Sequence, residues 1–369
     1  GVNLVGAHID SPRLDLKQNP LYESNDMALL KTHYYGGIKK YQWTAIPLAM
    51  HGVIFTKEGK KVTLNIGENE NDPVFCVTDL LPHLAKDQMT KKMIDGIEGE
   101  NLNILIGGMP VKSEDVSEKV KFAILKHLNE KYGITERDFL SAEIEIVPAF
   151  KAKNVGLDES FVGAYGQDDR VCAFTSLFAM LDVEEAVRTS CCILVDKEEI
   201  GSVGATGMHS RFFENVVAEL VALTEGESEL KVRRALQNSR MLSSDVSAAY
   251  DPMYAEAFEK RSAAFFGKGL VFNKFTGARG KSGSNDANAE YLAEIRRAMN
   301  TEDISYQFAE LGKVDIGGGG TIAYIMANYG MEVIDSGVAV LSMHAPWEVT
   351  SKADVYEAYR GYKSFLRNI

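Results

Sequence analysis

Four cysteines are all that the 369-residue chain contains, and no two of them have C-x-x-C spacing. This scarcity excludes a scaffold held together by disulfides, and the adjacent Cys191 and Cys192 lie in an apolar run typical of a buried strand. No segment has the pattern of a signal peptide, and no apolar run approaches the ~18 residues that span a bilayer. We therefore expect a reduced, cytoplasmic protein with no membrane partner.

Basic residues are scarce relative to acidic ones: 40 Lys and Arg stand against 52 Asp and Glu, which gives a net charge of −12. The backbone of a nucleic acid would be repelled on average, and only short basic pairs such as Lys60 and Lys61 interrupt the acidic excess. With 45% hydrophobic and 25% charged residues, the composition excludes a disordered or collagen-like chain. We expect no nucleic-acid partner.

The length, about two and a half times the roughly 150-residue domain size, favours two domains. From residue 144 to 369 strands alternate with helices, which predicts an α/β fold with a mixed or parallel sheet. Residues 44–143 contain short β segments, a hairpin pattern at 50–66 and many polar turns. Because the opening strand, 3–9, has no partner nearby, we predict one α/β domain, 1–43 plus 144–369, interrupted by a smaller β-rich domain.

In the α/β domain we predict strands at 143–147, 191–195, 241–246, 270–273 and 331–343, and helices at 213–223, 286–299, 321–329 and 352–366. A stripe of apolar residues predicts one helix, 116–131, in the β-rich region. The chain starts without Met and directly in a predicted interior strand, so we also expect further residues upstream.

His8 ends the first predicted strand, and Asp10 follows where the chain turns into a loop. A carboxylate in this position can accept the second ring proton of a histidine that binds a metal. The alternative is a histidine that is only hydrogen-bonded at a strand end. These two residues alone do not decide between the two interpretations.

Two pairs of adjacent carboxylates follow later in the chain. Asp168 and Asp169 lie between a glycine-containing loop and an apolar helix pattern, and because one Asp is enough for an N-cap, the pair leaves one carboxylate to spare. Glu198 and Glu199 follow the strand 191–195, where they repel each other unless a cation neutralises them. A helix cap and a solvated charged turn are the alternative interpretations.

Asp245 and His344 also end predicted strands. Together with His8, Asp168 and Glu199 they place two histidines and three carboxylates at strand ends of one α/β domain, where such sheets bind ligands. This donor set suits a pair of Zn²⁺ ions about 3.5–4 Å apart, with one carboxylate bridging them.

The segments that contain these residues resemble the aspartyl aminopeptidase, or aminopeptidase I, family of co-catalytic dizinc metallopeptidases, in its bacterial form. They are GAHIDSPR at 6–13, GQDDR at 166–170, DKEEIGS at 196–202, SSD at 243–245 and SMH at 342–344. The resemblance extends over nearly the whole chain. It implies a three-layer, mixed-sheet catalytic domain of the zinc-peptidase type with an inserted smaller β-rich assembly domain. It also implies a metalloaminopeptidase that removes an acidic, or also a neutral, N-terminal residue from peptides.

The resemblance further implies two Zn²⁺ per subunit, with Mn²⁺ or Co²⁺ as substitutes, and a homo-oligomer in the form of a closed tetrahedral dodecamer. Glu198 would be the general base, and Asp10 would be the partner of His8. The implied ligands are His8, Asp168 and Asp245 on one ion, and Asp168, Glu199 and His344 on the other.

An acidic substrate side chain needs a basic partner, and the loop that contains Lys274, Arg279 and Lys281 could supply one. The alternative is a solvated, glycine-rich turn. By the resemblance, Gly319 lies in a backbone turn near the substrate, and His83 of the inserted domain reaches the site of a neighbouring subunit. A surface histidine is the alternative for His83.

Two rival functions stay open from the sequence. One is another dinuclear-zinc hydrolase, such as a carboxypeptidase or a deacylase. The other is a non-enzymatic scaffold that only binds metal or partners. Glu198 argues against the scaffold, because a pure metal site has no need of an acid that is not a ligand.

Overall fold

The computed structural model describes residues 1–369 and divides the chain into two units. The larger unit comprises Gly1–Ser11, Ala152–Met343 and Trp347–Ile369. The smaller unit comprises Pro12–Lys151 and His344–Pro346. Each unit has its own sheets and its own packed interior.

The chain forms seventeen strands and nine α-helices, numbered in chain order. The strands are β1 (Val2–His8), β2 (Arg13–Ser24), β3 (Met27–Tyr35), β4 (Leu48–Phe55), β5 (Lys61–Ile66), β6 (Ile104–Gly107), β7 (Ala142–Pro148), β8 (Lys153–Val155), β9 (Phe161–Ala164), β10 (Thr189–Val195), β11 (Arg240–Ser244), β12 (Ser247–Ala248), β13 (Leu270–Asn273), β14 (Tyr306–Phe308), β15 (Glu332–Gly337), β16 (Ala339–Leu341) and β17 (Glu348–Ser351). The helices are α1 (Lys86–Thr90), α2 (Met93–Gly96), α3 (Lys119–Tyr132), α4 (Gln167–Leu181), α5 (Phe212–Glu225), α6 (Glu229–Gln237), α7 (Ala289–Thr301), α8 (Ala323–Ala327) and α9 (Lys352–Asn368).

The larger unit contains two sheets. The first has the strand order β10-β1-β11-β15-β13-β14. Its first four strands are parallel, and β13 runs antiparallel to β15, so the predicted mixed sheet is confirmed. The second sheet has the order β12-β16-β17-β9-β8. The larger unit is thus a mixed α/β fold whose parallel strands end at a common edge.

Helices cover both faces of the first sheet. Successive residues of a strand point to opposite faces, so neighbouring residues of β1 contact different helices. Leu4 of β1 packs with residues of α5, α6 and α8, whereas Val5 packs with residues of α4, α7 and α9. Both side chains are fully buried, and each contributes about 1.5–3 kcal/mol by leaving water. A strand covered on both faces is mostly apolar, which explains why β1 has no alternation of polar and apolar residues, with only Asn3 and His8 as polar members.

The smaller unit is built on one antiparallel sheet with the order β5-β4-β7-β2-β3-β6. The predicted hairpin at 50–66 is confirmed, because β4 and β5 pair directly. The predicted helix at 116–131 corresponds to α3, which ends at Gly133 in the left-handed conformation. Glycine favours that conformation because it has no Cβ.

The boundaries of the two units differ from the predicted domain boundaries at 43/44 and 143/144. Residues 13–35 form β2 and β3, which pair with β7 and β6 in the sheet of the smaller unit. The strand predicted at 143–147 is β7, and it also belongs to that sheet instead of the α/β alternation. Strand periodicity identifies a strand but does not identify its partners.

Two further predictions need correction in detail. The strand predicted at 331–343 is two strands, β15 and β16, which lie in different sheets. The helix predicted at 321–329 is shorter, α8, because Thr321 Oγ1 accepts the backbone N–H of Ala323 at its start, and residues 328–330 form a turn that ends at Gly330 with φ +79°. None of the helices combines the length and the apolar character that crossing a bilayer requires.

Candidate metal centre

Neighbouring parallel strands bring His8, Glu199 and Asp245 to one edge of the first sheet. Asp168 lies close to His8 and Glu199 at the start of α4. His8 is the last residue of β1 and lies beside Val195, the last residue of β10. Beyond β10 the chain forms a single 3₁₀ turn, Glu198–Ile200, and Asp245 follows β11 on the other side of β1. The carboxyl ends of such strands are where open α/β sheets bind their ligands.

His8 is the centre of the first group of donors. Its side chain is buried, and Nε2 lies 3.2 Å from Oδ1 of Asp168 and 4.0 Å from Oε2 of Glu198. Three residues, His8, Asp168 and Glu199, each offer one donor atom, and these three atoms lie within 4.8 Å of one another. This spacing is suited to a single metal ion bound by one imidazole and two carboxylates.

A second group of donors shares His8 and contains Asp169 and Asp245. Oδ2 of Asp169 accepts a hydrogen bond from the backbone N–H of His8 at 3.3 Å. Oδ1 of Asp169 is buried and has no hydrogen-bond partner in the protein. The predicted set paired Asp245 with Asp168, so the grouping of Asp245 with Asp169 differs from it. The sequence offered the Asp-Asp pair but did not show which carboxylate faces Asp245.

Asp10 fixes the orientation of the site. Nδ1 of His8 lies 3.0 Å from the Asp10 carbonyl oxygen and 3.2 Å from Oδ1 of Asp10, so Nδ1 carries the proton and Nε2 faces the other carboxylates. The Asp10 carboxylate also accepts the backbone N–H of Glu198 at 3.2 Å and that of Glu199 at 3.1 Å. One buried carboxylate therefore holds both the histidine and the two glutamates in position.

Glu348 supports Asp168 in a similar way and was not predicted from the sequence. It begins β17, is 1% exposed, and its Oε2 accepts the backbone N–H of Asp168 at 3.0 Å. Ser11 Oγ donates to the carbonyl oxygen of Asp168 at 2.8 Å. An acid at the start of a short strand resembles any solvated strand residue, so the sequence carries no signal for this contact.

The electrostatics of the cluster favour a bound cation. Burial raises the pKa of Asp245 well above its ordinary value, and the carboxylates of Asp169, Glu198 and Asp168 raise it further, opposed by His8. Burial likewise raises the pKa of Asp169. Burial alone would lower the pKa of His8, but its hydrogen bonds to Asp10 and Asp168 raise it well above 6.5. One imidazole among buried, mutually repelling carboxylates is a donor set that fits Zn²⁺.

His344, the remaining predicted ligand, belongs to the smaller unit by its contacts and follows β16 in the chain. Its Nδ1 lies 2.7 Å from the carbonyl oxygen of Gly37, also in the smaller unit. A carbonyl can only accept, so Nδ1 carries the proton and Nε2 has the lone pair that a metal needs. Its role as a ligand stays a prediction.

The predicted substrate residues of the larger unit lie in two neighbouring loops. Lys274 and Lys281 both form ion pairs with Asp286, the latter at 3.0 Å, and Lys281 Nζ also lies 4.1 Å from the centre of the Phe275 ring. The backbone N–H of Gly319 donates to the carbonyl oxygen of Thr276 at 3.0 Å. We call residues 274–286 the lysine loop.

His83 lies in the smaller unit, in an exposed turn at 82–84. Its position agrees both with a surface histidine and with one that reaches another subunit. The substrate roles of His83, Lys274, Lys281 and Gly319 therefore all stay predictions.

A mixed α/β sheet with a buried histidine–carboxylate cluster at the carboxyl ends of its parallel strands is typical of a metal-dependent enzyme. Residues 1–366 match the family model described as aminopeptidase I zinc metalloprotease (M18), and the chain belongs to this family. It is thus a zinc metalloprotease of the aminopeptidase type, as the motifs around His8, Asp168 and Glu199 predicted.

Similar proteins agree with this assignment. A probable M18 family aminopeptidase 1 from Clostridium acetobutylicum is 63% identical over 368 residues, which are 100% of this chain and 79% of the relative. The crystal structure of aminopeptidase I from the same organism has a TM-score of 0.95 at 59% identity, covering 100% of this chain and 80% of that one. The crystal structure of an M18 family aminopeptidase from Thermotoga maritima has a TM-score of 0.97 at 48% identity, with coverages of 100% and 81%.

Proposed function

We propose that this aminopeptidase hydrolyses the first peptide bond of peptides at a centre of two zinc ions, with Mn²⁺ or Co²⁺ as substitutes. The proposed ligands are His8, Asp168, Glu199, Asp245 and His344. Zinc bound by these residues supplies a Lewis acid that polarises the scissile carbonyl and makes water more acidic. Asp169 also lies beside Asp245, and we propose it as the alternative to Asp168 in that position.

Glu198 is proposed as the general base. It belongs to neither group of donors, yet its Oε2 lies 4.0 Å from Nε2 of His8, at the edge of the cluster. Its side chain is 16% exposed, so water and substrate can reach it. A carboxylate next to the ligands, but not one of them, can take the proton of an attacking water and pass it to the leaving amine.

The observation that carries this proposal is the position of Asp10. Its carboxylate accepts the N–H groups of both Glu198 and Glu199 and lies against Nδ1 of His8. The base, one ligand from β1 and one ligand after β10 are therefore held by a single group. A solvated charged turn, the alternative interpretation of Glu198 and Glu199, has no need of such a buried acceptor.

We propose an acidic N-terminal residue as the preferred substrate, with neutral residues also accepted. The lysine loop supplies the charge: Lys274 and Lys281 share one partner, Asp286, so one positive charge is left over, and Arg279 adds another. Gly319, whose N–H contacts the same loop, is proposed to lie near the bound residue.

Assembly is the least direct part of the proposal. A solved structure of S. cerevisiae mApe1, 21% identical to this chain with a TM-score of 0.77, is described as a dodecamer. We propose that this chain also forms a homo-oligomer, a tetrahedral dodecamer, with the smaller unit as the inserted β-rich assembly domain and His83 reaching a neighbouring site. Because all four cysteines are free thiols, we propose the cytoplasm as its location.

The experiment is the release of free amino acid from X-Ala-Ala peptides, with X being Asp, Glu, Leu or Lys, before and after chelation. The proposal predicts chelator-sensitive release, fastest for Asp and Glu, and restoration by added zinc. N-acetylated peptides of the same sequence are the matched control, and they should stay intact. Release from acetylated peptides, or from the carboxyl end, would favour a deacylase or carboxypeptidase. Equal rates for Asp and Lys would refute the acidic preference.

A further inference from the structure

The smaller unit contains an apolar cavity that the aminopeptidase reaction does not use. Its volume is about 520 Å³, within the roughly 300–1,000 Å³ typical of sites for small molecules. The cavity lies between the sheet, α3 and the segment 73–76. Its walls include Leu30, Met50, Leu64, Phe75, Ile124 and Leu128.

Only one charged side chain lines this cavity, and it is basic. Lys131 is the only charged residue among those that line it, and His127 lies one turn before it on α3. Lys131 Nζ lies 5.1 Å from the centre of the Tyr132 ring and forms no ion pair, whereas Lys126 on the same helix is paired with Glu130 at 3.7 Å. No Asp or Glu lines the cavity.

We propose that this cavity is a binding site for a medium-chain aliphatic carboxylate. The aliphatic walls bury the hydrocarbon chain, and the carboxylate pairs with Lys131 at the rim. An amino acid or a peptide N-terminus would bring an ammonium group that finds no carboxylate in the lining, which costs free energy. The single cation and the missing anion therefore select a ligand that is apolar and singly negative.

Cys76 offers a direct probe of the site. It lines the cavity, is half-buried and is a free thiol. A ligand in the cavity should therefore slow alkylation of Cys76, and mass spectrometry of the digested protein measures this residue separately from the other three cysteines. The fully buried Cys172, which lies outside the cavity, is the internal reference for a change in overall unfolding.

The test is calorimetric titration of the whole protein with decanoate, decanol and decyltrimethylammonium. The proposal predicts one decanoate per chain, protection of Cys76, and binding of the ammonium compound at least about tenfold weaker. Lys131→Gln should weaken decanoate binding about five- to tenfold, while the matched control Lys126→Gln should leave it unchanged. Leu128→Trp, which fills the cavity, should abolish binding and protection.

Several results would overturn the proposal. One is equal affinity for the three compounds, because it would mean detergent-like adsorption. Another is decanoate binding that survives Leu128→Trp, because the ligand would then lie elsewhere. A fall in the mass of the native assembly upon decanoate addition would also overturn it, since the cavity would then be a contact between copies of the chain.

Discussion

Carboxylates occur in two contrasting settings in the larger unit. Around His8, the carboxylates of Asp169 and Asp245 are buried and their pKa values are raised, chiefly by burial. In the lysine loop, Asp286 is largely exposed, and hydrogen bonds from Lys274 and Lys281 lower its pKa. The protein supplies cations to neutralise the exposed carboxylate, while the buried ones face mainly one another.

The difference indicates what each region is built to bind. Buried carboxylates that share a single histidine destabilise the metal-free fold, and a divalent cation removes that cost. The lysine loop keeps a net positive charge after Lys274 and Lys281 pair with Asp286, so it can attract a further negative charge but has no need of a metal. Substitutions in the two regions should therefore differ widely in the size of their effects.

Glu198→Gln should lower kcat by about a thousandfold, because the amide cannot accept the proton of the attacking water. The amide keeps the size of the side chain, and Glu198 is in neither donor group, so zinc content should stay the same. Single-turnover rates and metal analysis on the same sample measure both quantities. Wild-type kcat in a fully metal-loaded variant would show that Glu198 is not the base.

Removal of zinc should make stability depend on pH in a defined direction. The folded, metal-free chain has raised pKa values at His8, Asp169 and Asp245, so it binds more protons than the unfolded chain. The free energy of unfolding should therefore fall as pH rises from about 4 through neutrality. Zinc at a hundred to a thousand times its Kd should restore about 3–4 kcal/mol.

Urea unfolding at several pH values, with and without chelator, measures this effect. Asp245→Asn is the matched variant, because it removes one of the three groups and should flatten the pH dependence of the metal-free chain. If the metal-free wild type and Asp245→Asn had the same pH dependence, the raised pKa of Asp245 would have no part in it.

Asp10→Asn should weaken zinc binding about 10- to 100-fold. The carboxylate accepts two backbone N–H groups and faces Nδ1 of His8, and an amide presents only one acceptor oxygen for these three donors. Competition with a chromogenic chelator gives the affinity. Asp15→Asn is a suitable control, since Asp15 pairs with Arg13 in the smaller unit. An unchanged zinc affinity for Asp10→Asn would contradict the proposed positioning role.

The sequence predicted most of the residues that cluster around His8, because His8, Glu199 and Asp245 end or follow neighbouring parallel strands of the first sheet. Asp168, at the start of α4, was singled out as one of two adjacent carboxylates, and the structure brings it close to His8 and Glu199. The role of all four residues as metal ligands stays a prediction. Glu348 could not be found, because its contact to Asp168 depends on how β17 lies in the second sheet. Likewise, the Asp-Asp pair did not reveal that Asp169 groups with Asp245.

The smaller unit was harder to predict, and the reason lies in its pairing. The strands β2 and β3 form a long hairpin whose turn residues, Asn25 and Asp26, have φ values of +48° and +59°. Asn and Asp favour such positive values, so the turn could have been recognised from the sequence. The pairing of β2 with β7, more than a hundred residues later, has no local signature.

Asp335→Asn should stabilise the protein at pH 7 by about 1–3 kcal/mol. Burial raises the pKa of Asp335 to about 6, so this carboxyl group binds its proton more tightly in the folded chain than in the unfolded chain. The stability that results from this proton is lost as pH rises from about 4 to about 6. Thr321 Oγ1 donates to Oδ1 of Asp335 at 2.6 Å, and the amide oxygen of an asparagine can accept the same hydrogen bond. Thermal unfolding at pH 4 and 7 checks this, and the gain should vanish at pH 4.

The zinc content of Asp335→Asn can also be compared with that of a variant in the metal centre. Asp335 is a buried carboxylate outside both donor groups, so Asp335→Asn should keep its zinc, whereas Asp245→Asn should lose it. Loss of zinc from both variants would mean that zinc binding depends on any buried carboxylate of this unit, and not specifically on those grouped with His8.

The smallest effect is expected in the lysine loop. Lys274→Gln or Lys281→Gln should raise KM for Asp-Ala-Ala about two- to fivefold, because an exposed charge contributes at most about 1 kcal/mol. KM for Leu-Ala-Ala should stay the same. Lys231→Gln on α6, whose lysine pairs with Glu225, is the matched control. A parallel rise in KM for both peptides would assign the lysines a structural role.

We propose that activity requires two zinc ions, bound by His8, Asp168, Glu199, Asp245 and His344. The most direct measurement is a zinc titration of the chelated chain, with metal content by mass spectrometry and Leu-Ala-Ala hydrolysis recorded on the same samples. We expect activity to reach its maximum at two zinc ions per chain, and we expect Asp245→Asn never to reach this maximum. Full activity with one zinc ion per chain, or with none, would contradict this proposal.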